Sequence, residues 1–134
     1  MFRKITSRLV LAGTVLTIAA LPVAAVMPPQ GDTVDLAYYD GVQRIGNEQL
    51  ATDPYCAAPD TLAADLGEVY GEDIILSASR DSGRQFDVWA SEDAGTWTVS
   101  YTRPDGVACV IGSGTGWDNG DDASARLQEV GLQL

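Results

Sequence analysis

Between residues 74 and 112 the chain alternates short strand-like runs with tetrads of turn-forming residues, a spacing that restricts it to an antiparallel meander. The runs cover residues 74–79, 85–91, 96–102 and 107–112. Arg80-Asp81-Ser82-Gly83, Glu92-Asp93-Ala94-Gly95 and Arg103-Pro104-Asp105-Gly106 separate them. Inside the runs apolar residues recur at every second position. Phe86, Val88 and Ala90 alternate with Asp87 and Trp89, and Trp97, Val99 and Tyr101 alternate with Thr98 and Ser100. That period of two marks strands with one face turned to a core.

The last tetrad predicts a register. Proline presets the first central position of a type I turn, aspartate suits the second, and glycine takes the left-handed position of a bulged three-residue loop. Arg103 then pairs with Val107. Counting outward, Tyr101 faces Cys109, Val99 faces Ile111 and Trp97 faces Ser113. A two-residue loop would instead set Ser100 against Cys109 and mix the two faces.

A helix is expected over residues 59–70. Pro59 suits a first helical position, Asp60 meets the positive end of the helix dipole, and Gly71 stands where a left-handed cap belongs. Leu62, Leu66, Val69 and Tyr70 fall on one stripe. If this helix packs on the face bearing Tyr101 and Cys109, then Cys56 at its entrance can reach Cys109. The expected fold is α+β: one helix on a four-stranded antiparallel meander, a single domain with one disulfide, Cys56–Cys109. Such a bond contributes roughly 3–4 kcal/mol by restricting the unfolded chain. A reactive-thiol role lacks both the C-x-x-C spacing and a basic neighbour.

The N-terminus indicates where this chemistry takes place. Arg3, Lys4 and Arg8 precede an apolar run from Leu9 to Ala20, Pro22 breaks it, and Val23-Ala24-Ala25 offers small residues for cleavage. This is the layout of a secretory signal peptide over residues 1–25; a retained membrane anchor is the alternative, and either one exports the domain after Ala25. The expected location is periplasmic or secreted, where a cysteine pair oxidises. Residues 26–55 read as a linker or irregular segment, 56–116 as the α+β core, and 117–134 as an acidic tail, weakly helical over 123–130.

Removing residues 1–25 leaves five arginines and no lysine against all 19 acidic residues, a net charge of −14. Such a surface repels phosphate backbones and anionic head groups, so neither nucleic acid nor, after cleavage, a membrane is an expected partner. Histidine is absent. That excludes serine–histidine–aspartate and cysteine–histidine catalysis and removes the commonest transition-metal ligand.

Three segments carry a likeness: Leu66-Gly67-Glu68-Val69-Tyr70-Gly71-Glu72, Gly95-Thr96-Trp97-Thr98 and Pro104-Asp105-Gly106-Val107-Ala108-Cys109-Val110. From Cys56 onward the chain resembles a family of small secreted bacterial proteins of unknown function. The resemblance implies the same helix, sheet and disulfide and no activity. A nicotinamide-dependent hydrolase is not expected, because the chain lacks the length and the G-x-G-x-x-G turn of a dinucleotide fold.

The remaining candidate sites are few. Asp118-Asn119-Gly120-Asp121-Asp122 gathers oxygen ligands but lacks EF-hand spacing, so a solvated loop is the simpler account. Gly112-Ser113-Gly114-Thr115-Gly116 lacks the lysine of a phosphate loop. Trp89 alternates away from Phe86 and Val88. It and Trp117 are either covered by other parts of the chain or presented to a protein partner in the periplasm. The expectation is a non-enzymatic binding or interaction domain without cofactor or metal. The alternatives are a small carboxylate-based hydrolase on glycan or cell-wall material, needing two carboxyls in one cleft, or a protein inhibitor.

Overall fold

The computed structural model describes residues 33–133. The expected signal peptide (1–25), residues 26–32 and Leu134 lie outside the described residues. In chain order the elements are α1 (Leu36–Asp40), a 3-10 turn (Gly46–Glu48), β1 (Cys56–Ala57), α2 (Pro59–Asp65) and a π-helical turn (Leu66–Tyr70). Then come β2 (Asp73–Arg80), a short 3-10 turn (Asp81–Gly83), β3 (Arg84–Ser91), β4 (Thr96–Thr102), β5 (Ala108–Thr115) and α3 (Ala123–Glu129).

The strands form one antiparallel sheet in the order β1-β5-β4-β3-β2. The class is α+β, with five strands rather than the expected four. The extra strand is the two-residue β1, which the sequence disguises as the lead-in to a helix. It sets Cys56 opposite Cys109 and Ala57 opposite Ala108, and its outward Cys56 N–H donates to Gln49 Oε1 at 2.8 Å. The Cys56–Cys109 disulfide is present. It joins neighbouring strands within the sheet, with Cα atoms 4.0 Å apart, and does not bridge a helix to a sheet.

The Arg103–Val107 turn closes as its chemistry predicts: Arg103 N–H donates to the Val107 carbonyl at 2.8 Å and Gly106 N–H to the Arg103 carbonyl at 2.9 Å. Tyr101 faces Cys109. Farther out the register departs from the simple count. An irregularity at Ile111 sets Val99 against Gly112 and Trp97 against Gly114, where Ile111 and Ser113 were expected. Space explains the shift. A Cβ on Gly114 would lie 2.7–2.8 Å from three atoms of the Trp97 indole, and one on Gly112 would lie 2.2 Å from Val130 Cγ1. The glycine-rich second half of β5 is therefore a packing device, with Gly112 and Gly114 toward one face and Ser113 and Thr115 toward the other.

Two layers cover the sheet. Phe86, Val88, Ala90, Trp97, Val99 and Tyr101 build the larger core together with Trp117, Leu127 and Leu132. Val34, Leu36 and Tyr39 from around α1, and Ala123 and Val130 from around α3, pack against it. The segment expected to be an irregular linker thus holds α1, capped by the Asp35 carboxylate on Ala37 N–H at 3.0 Å. Polar pins tie it down. Tyr101 Oη donates to Asp40 Oδ1 at 2.7 Å and accepts from Arg84 Nε at 2.9 Å. Buried Arg103 donates to the carbonyls of Tyr39 and Val42 at 3.1 and 2.6 Å. The C-terminal segment is likewise part of the fold: Asp122 caps α3 on Ser124 N–H, and Leu127 and Leu132 are buried.

The other face meets α2. Leu62 and Leu66 pack on Trp89 and Ala108, with Ala63 and Val110 beside them. This corrects the expectation that the helix covers the Tyr101–Cys109 face. That face is already filled by α1 and α3, while Ala63 and Ala108 let a helix approach the opposite face closely.

Candidate functional site

The helical segment changes character at its C-terminal end, and this creates a cavity. From Leu66 to Tyr70 the backbone runs as a π-helical turn. Its i→i+5 bonding takes more residues per revolution, so Val69 and Tyr70 stop short of the face that buries Leu62 and Leu66. They are 69% and 51% exposed, against the expectation that all four residues form one buried stripe. Gly71 then adopts a left-handed conformation, φ 65°. Gly71 N–H donates to the Gly67 carbonyl at 3.0 Å and Glu72 N–H to the Leu66 carbonyl at 3.1 Å. This is a Schellman-like cap lengthened by the wide turn.

Such a cap commonly buries an apolar residue just beyond the glycine. Here that position is Glu72, and it is buried all the same, at 2% exposure. Among the described residues its Oε2 has no hydrogen-bond partner, and neither does the buried Thr96 Oγ1. Both residues line one cavity of about 520 Å³, with Tyr55, Asp65, Leu66, Val69, Tyr70 and Val110 among the walls and Thr96, Thr98, Ser113 and Thr115 from β4 and β5. The walls are largely apolar and aromatic, while the polar groups are hydroxyls and carboxylates.

At the same cavity the Tyr55 phenol donates to Asp65 Oδ2. Partial burial, and then the Asp65 carboxylate beside it, push the Tyr55 phenol up to about 12. It therefore stays protonated, and Asp65 serves as an acceptor of its proton. Buried Asp87 on the same side of the sheet is instead fully engaged: the Ser77 hydroxyl donates to Oδ1, and Gln85 Nε2 lies 3.0 Å from each oxygen. Glu72 is the exception. The sequence signal for it was a carboxylate directly after a capping glycine, where an apolar side chain is ordinary.

The two tryptophans named as partner contacts lie elsewhere, and both are covered. Trp89 is 8% exposed beneath α2, and its Nε1–H donates to Ser100 Oγ at 2.9 Å. Trp117 is 9% exposed in the larger core, with the Arg126 guanidinium 5.9 Å from its ring and 5.1 Å from that of Trp97. In the acidic loop Asp121 Oδ2 meets Arg126 Nη2 at 3.1 Å and Asp118 N–H at 3.0 Å, and Asp122 is the α3 cap. Among the described residues no group of three or more acidic or cysteine side chains is placed to hold a metal ion, and no helix is long and apolar enough to cross a membrane.

No family model and no solved structure matches the chain. A stretch of 68 residues is 38% identical to part of a protein-L-isoaspartate O-methyltransferase from Trichlorobacter lovleyi, covering 51% of this chain and 30% of that protein. The chain is thus similar to a segment of that methyltransferase and spans less than a third of its length.

Proposed function

We propose that this chain is an exported, non-enzymatic binding module that takes a small ligand in the cavity beneath the end of α2. One observation carries the proposal: a buried glutamate oxygen, Glu72 Oε2, without a partner among the described residues, in a largely apolar cavity of ligand size. Leaving a buried acceptor unpaired is destabilising by about 1–3 kcal/mol, more for a charged group. A fold that tolerates this while satisfying Asp87 on the same side of the sheet is shaped at Glu72 by something other than stability. Export accords with the basic and apolar N-terminal pattern and with the disulfide. The methyltransferase likeness lends no activity, because it reaches under a third of that protein.

A fragment screen by amide NMR tests the proposal. Ligands are expected to shift resonances of residues 65–72, 96–98 and 110–115. Hits confined to other surfaces, or no hits at all, overturn it. Cleavage after Ala25 is checked separately by mass spectrometry of the exported protein.

A second reading has its own observation: Asp65 and Glu72 line the same cavity, and two carboxyls in one cleft are what glycoside hydrolysis requires. Release of nitrophenol from chromogenic glycosides, lost in both Asp65→Asn and Glu72→Gln, would establish it. Absence of turnover in the wild type removes it.

A further inference from the structure

The geometry points to an alkylammonium group on a compact apolar body as the ligand of this cavity, with Glu72 as its counter-ion. This rests on the binding proposal above and adds the chemical class. The two unpartnered atoms lining the cavity, Glu72 Oε2 and Thr96 Oγ1, define what is missing. An ionised carboxylate only accepts hydrogen bonds, and a hydroxyl oxygen accepts as well as donates. The group that completes both is a donor with more than one N–H, and beside a buried carboxylate it is favoured as a cation.

The rest of the cavity agrees. Among the described residues no arginine or lysine lines it, so none of them gives Glu72 a counter-charge there. Tyr55 and Tyr70 supply aromatic rings, which attract cations over their faces. Leu66, Val69 and Val110 provide apolar contact for a hydrocarbon body. At the rim Asp65 adds a second carboxylate, and the strongly acidic surface raises the local concentration of cations. A carboxylate or phosphate ligand would meet repulsion from Glu72, from Asp65 and from the acidic surface.

The full-length protein is titrated with hexylamine, hexanol and hexanoate, followed by tryptophan fluorescence and calorimetry. The same titrations are run on Glu72→Gln and Thr96→Val. In the wild type, hexylamine is expected to bind about 10–100-fold tighter than hexanol, the size of one charge-assisted hydrogen bond, and hexanoate weakest. Glu72→Gln should bring the amine to the level of the alcohol. Equal binding of amine and alcohol to the wild type overturns the ammonium assignment and keeps the cavity as a binding site. If neither binds, both proposals fall. The wild-type comparison holds whether or not a variant folds. A blocked tripeptide with a central lysine forms a further arm: tighter binding than hexylamine places the ammonium on a protein chain, and weaker binding places it on a free amine.

Discussion

The two faces of the sheet are finished to different standards. Against the face of Phe86, Val99 and Tyr101 the chain lays α1, α3 and the Trp117 and Leu132 segments, and there Asp40, Arg84 and Arg103 find partners, while Arg126 Nε, beside the Trp97 and Trp117 rings, does not. Against the other face it lays α2 alone. That cover ends in a wide turn that leaves Ser113 and Thr115 exposed and Glu72 Oε2 buried without a partner among the described residues. The contrast teaches that the closed face stabilises the fold, while the open face retains a defect that stability alone would remove. Cavities of about 580 and 500 Å³ also lie beside α1 and near the start of α3; the one under the end of α2 differs in being lined by the unpartnered Glu72 Oε2 and Thr96 Oγ1.

The largest way to break this contrast is to change one side chain on each face of the same strand, adding a methyl group on one and removing a hydroxyl on the other. Gly114→Ala puts a Cβ against the Trp97 indole and is expected to lose up to about 3 kcal/mol in urea unfolding. Ser113→Ala, its neighbour on the open face, should change stability by less than about 0.5 kcal/mol. Equal effects would mean that both faces are packed alike.

A change of opposite sign is expected at Glu72. Replacing it with leucine removes the unpaired acceptor and fills part of the cavity, so Glu72→Leu should stabilise the protein by about 1–2 kcal/mol while abolishing amine binding. A destabilised variant would show that the carboxylate has a structural partner.

The smallest effects separate the faces by pH. The Arg103 guanidinium holds the Asp105 carboxyl below its ordinary 3.8. The stability from this pair is complete above pH 3.8 and is lost as pH falls through the lower folded value. Because Asp105 is largely exposed, the loss is about 1 kcal/mol at most, and Asp105→Asn should flatten it. On the open face the Tyr55 phenol is raised to about 12. Its contribution is full below pH 10 and is lost as pH rises from 10 to about 12, and Tyr55→Phe should flatten that alkaline limb. Urea midpoints across both pH ranges, compared with wild type, read these effects. Unchanged limbs would mean that neither pair couples to folding.

Much of the closed face was legible in the residues. Alternation in 85–91 and 96–102 marked Phe86, Val88, Trp97, Val99 and Tyr101 as core, and the Pro104-Asp105-Gly106 turn fixed the Tyr101–Cys109 pairing that the disulfide follows. Little of the open face was legible. The stripe Leu62, Leu66, Val69 and Tyr70 assumes 3.6 residues per turn, and a change to i→i+5 bonding after Asp65 releases its second half. The α1 segment lacked a clean period because the helix is only five residues long and, beside the contacts of Leu36 and Tyr39 with the core, is held by side-chain bonds from Arg84, Arg103 and Tyr101, residues 40 or more positions away.

Local chemistry determined the strands, their turns and the helix start at Pro59, because each depends on neighbours within a few residues or on a tight turn that counts the register outward; the pairing of Cys56 with Cys109 followed from the chain's having two cysteines. The tertiary structure decided which face α2 covers, how the bulge at Ile111 exchanges Ser113 for Gly114 against Trp97, and that Glu72 is buried without a partner. Those outcomes depend on which surfaces compete for the same volume, and steric exclusion between distant segments has no period that a sequence can display.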